Sequence, residues 1–197
     1  MSYRIYHTKG FVLNSRSFGE ANKVFKILTP NLGLVSCLAQ GVRFEKSKLR
    51  FALARQRFVK ISLVRGREYW RLIHVEPDLR FGAGLESSNV NLFLAQISTL
   101  LSRFIHGEKK DPQLYQILEE ATLSKINLKK GSPFSQQSLE VLTMTRILSV
   151  LGYRPDDPKM SFFVDSNDWQ EKTVSDFYIY LPRAIQSINT ALHNSQL

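Results

Sequence analysis

Over roughly the first 75 residues the chain alternates short apolar runs with turn residues, a texture of strands rather than helices. Gly10-Phe11-Val12-Leu13 opens one strand and Val24-Phe25-Lys26-Ile27-Leu28 makes a second. Pro30-Asn31-Leu32-Gly33 supplies turn chemistry before a third, Leu34-Val35-Ser36-Cys37-Leu38-Ala39. In Phe58-Val59-Lys60-Ile61-Ser62-Leu63-Val64 the alternation predicts Val59, Ile61 and Leu63 on one face, with Lys60 and Ser62 on the other. Arg65-Gly66-Arg67 then turns into a fifth strand, Tyr69-Trp70-Arg71-Leu72-Ile73. Five short strands with no helical run among them predict a small closed or half-closed antiparallel barrel. Residues 43–57 are its one long irregular stretch, in which Phe51-Ala52-Leu53 fits a short helix plugging the barrel.

After Phe81-Gly82-Ala83-Gly84, a hinge by composition, the period becomes helical. Ser87-Ser88-Asn89 offers caps for a helix carrying Leu92, Phe93, Ile97, Leu100, Leu101 and Phe104 and closing at Gly107. Asp111-Pro112 starts a second, with Leu114, Ile117, Leu118 and Ala121 as its stripe. Ser135 opens a third through Leu139, Leu142, Ile147, Leu148 and Leu151, stopped by Gly152 ahead of Pro155. Phe162-Phe163-Val164 fits a short strand, and a last helix begins near Pro182 and uses Ile185, Ile188 and Leu192. The fold class is therefore α+β, with a barrel domain over 1–80 and an α-helical domain over 81–197.

Charge sharpens this division. Residues 1–80 hold 16 Lys/Arg against 5 Asp/Glu, whereas residues 81–197 hold 11 against 12, so nearly all of the net +10 lies in the first part. Between Arg43 and Arg71 ten basic residues face only Glu45 and Glu68. Like charges repel and cost stability, so such a concentration suits a polyanionic partner whose condensed counterions are released on binding. A hydrophobic content of 43% and a charged content of 22% describe an ordinary globular chain of 197 residues. No apolar run approaches the length of a membrane span, and Met1-Ser2-Tyr3-Arg4-Ile5-Tyr6 lacks the apolar core of a secretory signal. The expected setting is cytoplasmic and nucleoid-associated.

Catalytic and metal chemistry is sparse. His7, His74, His106 and His193 have no metal-ligand spacing, and the single cysteine, Cys37, sits mid-strand among apolar neighbours as an inert thiol. No Walker A loop, G-x-G-x-x-G or G-x-S-x-G is present. Glu119-Glu120 and Asp156-Asp157 are adjacent in sequence and diverge on a helix, so they suit solvated charges better than an acid/base couple. The expectation is a non-enzyme without metal or cofactor.

The basic stretch is different. Residues 43–57 carry six cations, Arg43, Lys46, Lys48, Arg50, Arg55 and Arg57, against Glu45, and Arg65 and Arg67 follow in the next turn. Such side chains contact phosphates, and an exposed ring among them stacks on an unpaired base. Phe44 reads equally as a stacking ring or as core, and Phe51 first as core. A solvated loop of no consequence is the alternative for the cations.

Several motifs resemble the amino-terminal barrel of the bacterial recombination mediator family RecO. They are Gly10-Phe11-Val12-Leu13-Asn14-Ser15-Arg16, the Gly19-Glu20-Ala21-Asn22 turn, and Leu28-Thr29 followed by Gly33-Leu34-Val35. Ala39-Gln40-Gly41-Val42-Arg43 with its Lys/Ser-rich continuation, and Arg65-Gly66-Arg67, complete the set. Leu100-Leu101-Ser102-Arg103 and Leu151-Gly152-Tyr153-Arg154-Pro155 extend the likeness into the helices, over most of residues 3–158.

The resemblance implies an oligonucleotide-binding (OB) barrel joined to an α-helical domain. It implies binding of single- and double-stranded DNA, annealing of complementary strands, and partnership with RecR. It further implies engagement of the acidic tail of single-strand-binding protein, so that RecA replaces that protein on DNA. The family's DNA-contacting loop falls on Arg43, Lys46, Lys48 and Arg50. Many relatives carry a four-cysteine zinc motif after the stretch matching 151–155, which this chain lacks. Around Thr143-Met144-Thr145-Arg146 the expected aromatic-acidic pair for the tail is also missing, leaving Arg103 and Arg146 as its candidate contacts. An OB-fold RNA-binding or ribosome-associated protein is the competing reading.

Overall fold

The computed structural model describes residues 4–47, 49–128 and 133–195. Five strands close a barrel in the order β1-β2-β3-β5-β4, with β1 Ile5–Phe18, β2 Asn22–Thr29, β3 Gly33–Ala39, β4 Phe58–Val64 and β5 Trp70–Pro77. All neighbours are antiparallel except β3 and β5, which meet in parallel at Cys37↔Trp70 and Leu38↔Arg71. The barrel is thus the expected one, with its closing seam parallel. The short helix α1 (Leu49–Ala52) lies in the irregular stretch and sends Ala52 and Leu53 into the barrel interior. Lys48 and the side chains of Arg50 and Phe51 lie outside the described residues.

The first strand is longer than its apolar run. Residues 5–11 pair with β4 and residues 11–18 with β2, with a bulge between Val12 and Asn14 where the strand changes partner. Val12, Phe25, Ile27, Val35, Cys37, Val59, Ile61 and Leu63 fill the interior. Ser62, on the opposite face as expected, is nonetheless buried and bonds the His7 ring at 2.8 Å.

Helices α2 (Ser88–Phe104), α3 (Pro112–Asn127), α4 (Pro133–Val150), α5 (Pro158–Asp165), α6 (Glu171–Asp176) and α7 (Leu181–Asn194) follow. None of the described helices is long and apolar enough to cross a membrane. Phe162-Phe163-Val164 is helical, not a strand. Asp157 caps α5 by accepting from the Lys159 amide, and Pro158 occupies the first turn. Phe163 turns inward against Phe177 and Tyr180, and Phe162 turns outward. Leu92 and Ile185 also face solvent, because the buried stripes run through Val90, Phe93, Leu94 and Ile97 on α2 and through Ala184, Ile188 and Ala191 on α7.

Gly82-Ala83-Gly84 is a 3-10 turn rather than a loose hinge, with Phe81 and Leu85 buried around it. The two parts share one apolar core. Phe11, Leu13, Leu28, Leu34 and Phe58 of the barrel's outer surface belong to the same cluster as Phe93, Leu118, Leu142 and Phe177. Its joint is aromatic: Phe58 stacks on Phe81 at 3.9 Å and 10°, with Phe11 at 4.8 Å and Tyr115 at 6.4 Å. The loop between α2 and α3 seals the barrel at β3, where Gly107 O accepts from the Leu34 amide. Gly33, at φ 71°, packs so tightly on the Lys109 carbonyl that a Cβ there would collide with it.

Truncating Phe58 to Ala removes the centre of this joint and costs about 3–5 kcal/mol. Urea unfolding followed by helical circular dichroism and by tryptophan fluorescence should show one shared transition, shifted in the variant. Two separated transitions in the wild type would show that barrel and helices do not depend on a common core.

Candidate nucleic-acid interface

Acids from beyond residue 80 neutralise part of the barrel's charge. Glu86 pairs with Arg57 at 3.0 Å, Glu108 with Arg65 at 2.6 Å, and Glu119 with both Lys9 at 3.7 Å and Arg80. Arg65 and Arg57, both expected to contact DNA, each pair with one of these carboxylates. Arg65 also lies over the Trp70 ring at 4.9 Å, whose Nε1 donates to the same Glu108. Glu119 is therefore no idle solvated charge, and Glu120 accepts from Trp169 Nε1 at 2.9 Å. Asp157, besides capping α5, binds Arg183.

The remaining barrel cations behave differently. Among the described residues Arg16, Lys26, Arg43, Lys46, Arg55, Arg67 and Arg71 are exposed and meet no carboxylate in an ion pair. Strand register brings several of them onto one outer surface. Arg71, Leu38, Val24 and Arg16 form a row across β5, β3, β2 and β1, and Ser36, Lys26 and Asn14 form the next. Asn14, Ser15, Arg16, Val24, Lys26, Ser36 and Arg55 line an open groove of about 560 Å³ there.

Arg55 reaches the groove through the backbone at Gln56. Gln56 has φ 60°, a left-handed conformation uncommon for a residue with a Cβ. Its amide donates to Val12 O at 2.8 Å, and the Val12 amide donates to Arg57 O at 3.0 Å. Flanking this one residue, Arg55 lines the groove and Arg57 reaches Glu86.

Around the rim the expected residues divide. Arg43 lies against the β1–β2 turn, its amide bonding Ala21 O and its guanidinium Gly19 O. Phe44 leans on Gly41 with 63% of its surface exposed, which removes it from the core. Arg67 is exposed in the β4–β5 turn, beside Tyr69, whose hydroxyl accepts from Arg16 at 2.9 Å. Phe18 and Tyr69 meet edge-to-face at 5.6 Å. Arg16, Phe18, Lys26, Tyr69 and Arg71 were absent from the sequence-derived set. The signal for them lay in the continued alternation of Asn14, Arg16 and Phe18.

Of the two candidate partner-binding arginines, Arg146 is interior and Arg103 is half-buried. Arg146 is 1% exposed, donates to the carbonyls of Phe163 and Asp168, and stacks on Trp169 at 4.2 Å. Burial pulls its pKa down to about 10 against the opposing pull of Asp168 and Glu120, so it stays charged at neutral pH. Arg103 donates to Ser195 Oγ at 2.7 Å and to the Leu192 carbonyl, closing the end of α7. Burial and the nearby Glu108 push the Cys37 thiol up, away from thiolate chemistry. Among the described residues no group of three or more His, Cys, Asp or Glu gathers to hold a metal.

A family model described as "Recombination protein O N terminal" matches residues 1–77, the whole of the barrel. The barrel is similar over its whole length to the amino-terminal part of the RecO family. Similarity continues into the helices. The chain is 24% identical over 154 residues to the DNA repair protein RecO of Dehalococcoides mccartyi, covering 77% of this chain and 58% of that relative. It is 29% identical over 153 residues to the DNA repair protein RecO of Heliobacterium modesticaldum, covering 78% and 54%. To that of Gloeothece citriformis it is 26% identical over 172 residues, covering 83% and 60%. The chain thus spans a little over half the length of these curated relatives.

At the joint between barrel and helices, Asp78 is buried and binds Arg80, which holds its carboxyl below the ordinary 3.8. A depressed folded-state value means stabilisation present above the unfolded value and lost as pH falls through the folded one. Urea titrations across the acid range should therefore show wild type losing stability more steeply than Asp78→Asn below about pH 4. Parallel acid limbs would remove Asp78 from the account. Arg146→Ala should lower stability by about 2–4 kcal/mol, by orphaning two buried carbonyls and opening space beside Trp169; an unshifted urea midpoint would contradict this.

Proposed function

We propose that this chain is a DNA-binding component of recombinational repair. It binds single- and double-stranded DNA on the outer surface of β1, β2, β3 and β5, anneals complementary strands, and helps RecA replace single-strand-binding protein. The sorting of charge carries this reading. Lys9, Arg57 and Arg65 are neutralised by Glu119, Glu86 and Glu108, whereas among the described residues Arg16, Lys26, Arg55, Arg67 and Arg71 meet no carboxylate in an ion pair. Unneutralised guanidinium and ammonium groups on one surface repel each other until a polyanion covers them. Annealing needs no bond chemistry, only enough positive charge to hold two mutually repelling strands together.

Strands 2–3 and the β1–β2 and β4–β5 turns are the usual ligand surface of an OB barrel, and the groove lies there. RecR and single-strand-binding protein enter the proposal through the family. Arg146 is buried and cannot meet them directly, whereas the half-buried Arg103 is engaged by Ser195 and the Leu192 carbonyl.

Affinity for a short single strand measured across a salt series tests the surface. If Arg16, Lys26, Arg55 and Arg71 each neutralise a phosphate, log Kd changes with log salt with a slope of magnitude about 3. Lys26→Ala or Arg55→Ala should each lower that slope by about 0.7, and the pair should slow annealing. Lys60→Ala, which removes a cation already paired to Glu76, should change neither. Slopes indifferent to Lys26 and Arg55, or a strong preference for RNA of equal length, would defeat the reading.

A further inference from the structure

We propose that Phe18 and Tyr69 form a stacking platform for unpaired bases, which makes a single strand with accessible base faces the preferred ligand of the groove. This rests on the DNA-binding reading above and adds to it a contact that phosphate attraction does not supply. Phe18 stands at the end of β1 with 40% of its surface exposed, and among the described residues its one ring neighbour is Tyr69, edge-on at 5.6 Å and 70°. A phenyl left exposed on the face that carries Arg16, Val24, Lys26 and Leu38 keeps much of its ring open to a ligand. It gains from a planar, polarisable ligand, and every base offers such a face.

Tyr69 is held rather than loose. Arg16 Nη2 donates to its hydroxyl at 2.9 Å, and the turn before it folds so tightly that a Cβ on Gly66 would collide with the Tyr69 carbonyl. On either side of this turn, Arg65 and the Trp70 indole are bolted to the two oxygens of Glu108, at 2.6 and 2.8 Å. A ring fixed in this way loses little freedom when a base covers it. Arg16 and Arg71 end the row of side chains beside the pair and remain exposed for the flanking phosphates. A duplex keeps its base faces stacked inside and cannot use the rings, so the platform discriminates by strandedness, not by sequence.

Fluorescence anisotropy at one salt concentration, with an intact single strand and a strand of equal length carrying central abasic sites, separates the two contributions. Wild type should bind the abasic strand about tenfold more weakly. Phe18→Ala should lose a similar factor on the intact strand and almost nothing on the abasic one, with its salt slope unaltered. Tyr69→Phe, which keeps the ring without the Arg16 bond, should retain most of the preference, and circular dichroism checks that each variant is folded. Equal, salt-dependent affinity of wild type for both strands would overturn the platform while leaving the electrostatic surface intact. Absence of binding to either strand would overturn both.

Discussion

The ion pairs that Glu86, Glu108 and Glu119 make with the barrel decide where its charge is available. Exposed pairs of this kind contribute at most about 1 kcal/mol each to stability, so their importance here is one of placement. Without them the barrel would be basic all round. With them Lys9, Arg57 and Arg65 are matched by carboxylates, and Arg16, Lys26, Arg55 and Arg71 are left unmatched among the described residues. Stability comes from elsewhere, chiefly from the apolar cluster in which Phe58 lies on Phe81.

Packing and electrostatics converge on the loop between α2 and α3. Gly107 completes the edge of β3, Lys109 presses its carbonyl on Gly33, and Glu108 ties Arg65 to Trp70. The helical part is thereby joined to the turn that presents Tyr69. Farther away, Arg146 shows how the chain organises residues 160–176. Its guanidinium gathers the carbonyls of Phe163 and Asp168 and the face of Trp169, whose indole reaches Glu120 on α3. One buried cation thus ties α4 to α5 and to the loop before α6.

Much of this was legible in the chain. Apolar runs located all five strands, and the switch of period located α2, α3, α4 and α7, because burial imposes those patterns directly. The far half of β1 was hidden because Asn14-Ser15-Arg16-Ser17 holds no apolar residue until Phe18, leaving Arg16 and Phe18 outside any recognised strand. Arg57 and Arg65 looked free because their carboxylates lie 29 and 43 residues away. Arg146 was misplaced for a different reason. A buried arginine is rare, and this one is accommodated by carbonyls and a ring, which leave no trace in charge pattern. Phe162-Phe163-Val164 looked like a strand by composition, while the capping by Asp157 and Pro158 that makes it helical lies just before it.

Arg16, Lys26, Arg55 and Arg71 leave one surface of the barrel cationic, the surface on which we propose that a nucleic-acid strand lies. Photo-crosslinking with single-stranded DNA carrying thiolated thymidines, followed by mass spectrometry of the joined peptides, examines that placement without altering the protein. Adducts should concentrate in the peptides that hold Arg16, Phe18, Lys26 and Tyr69. Adducts concentrated instead on Lys60 of β4 or along α4 to α7 would contradict it.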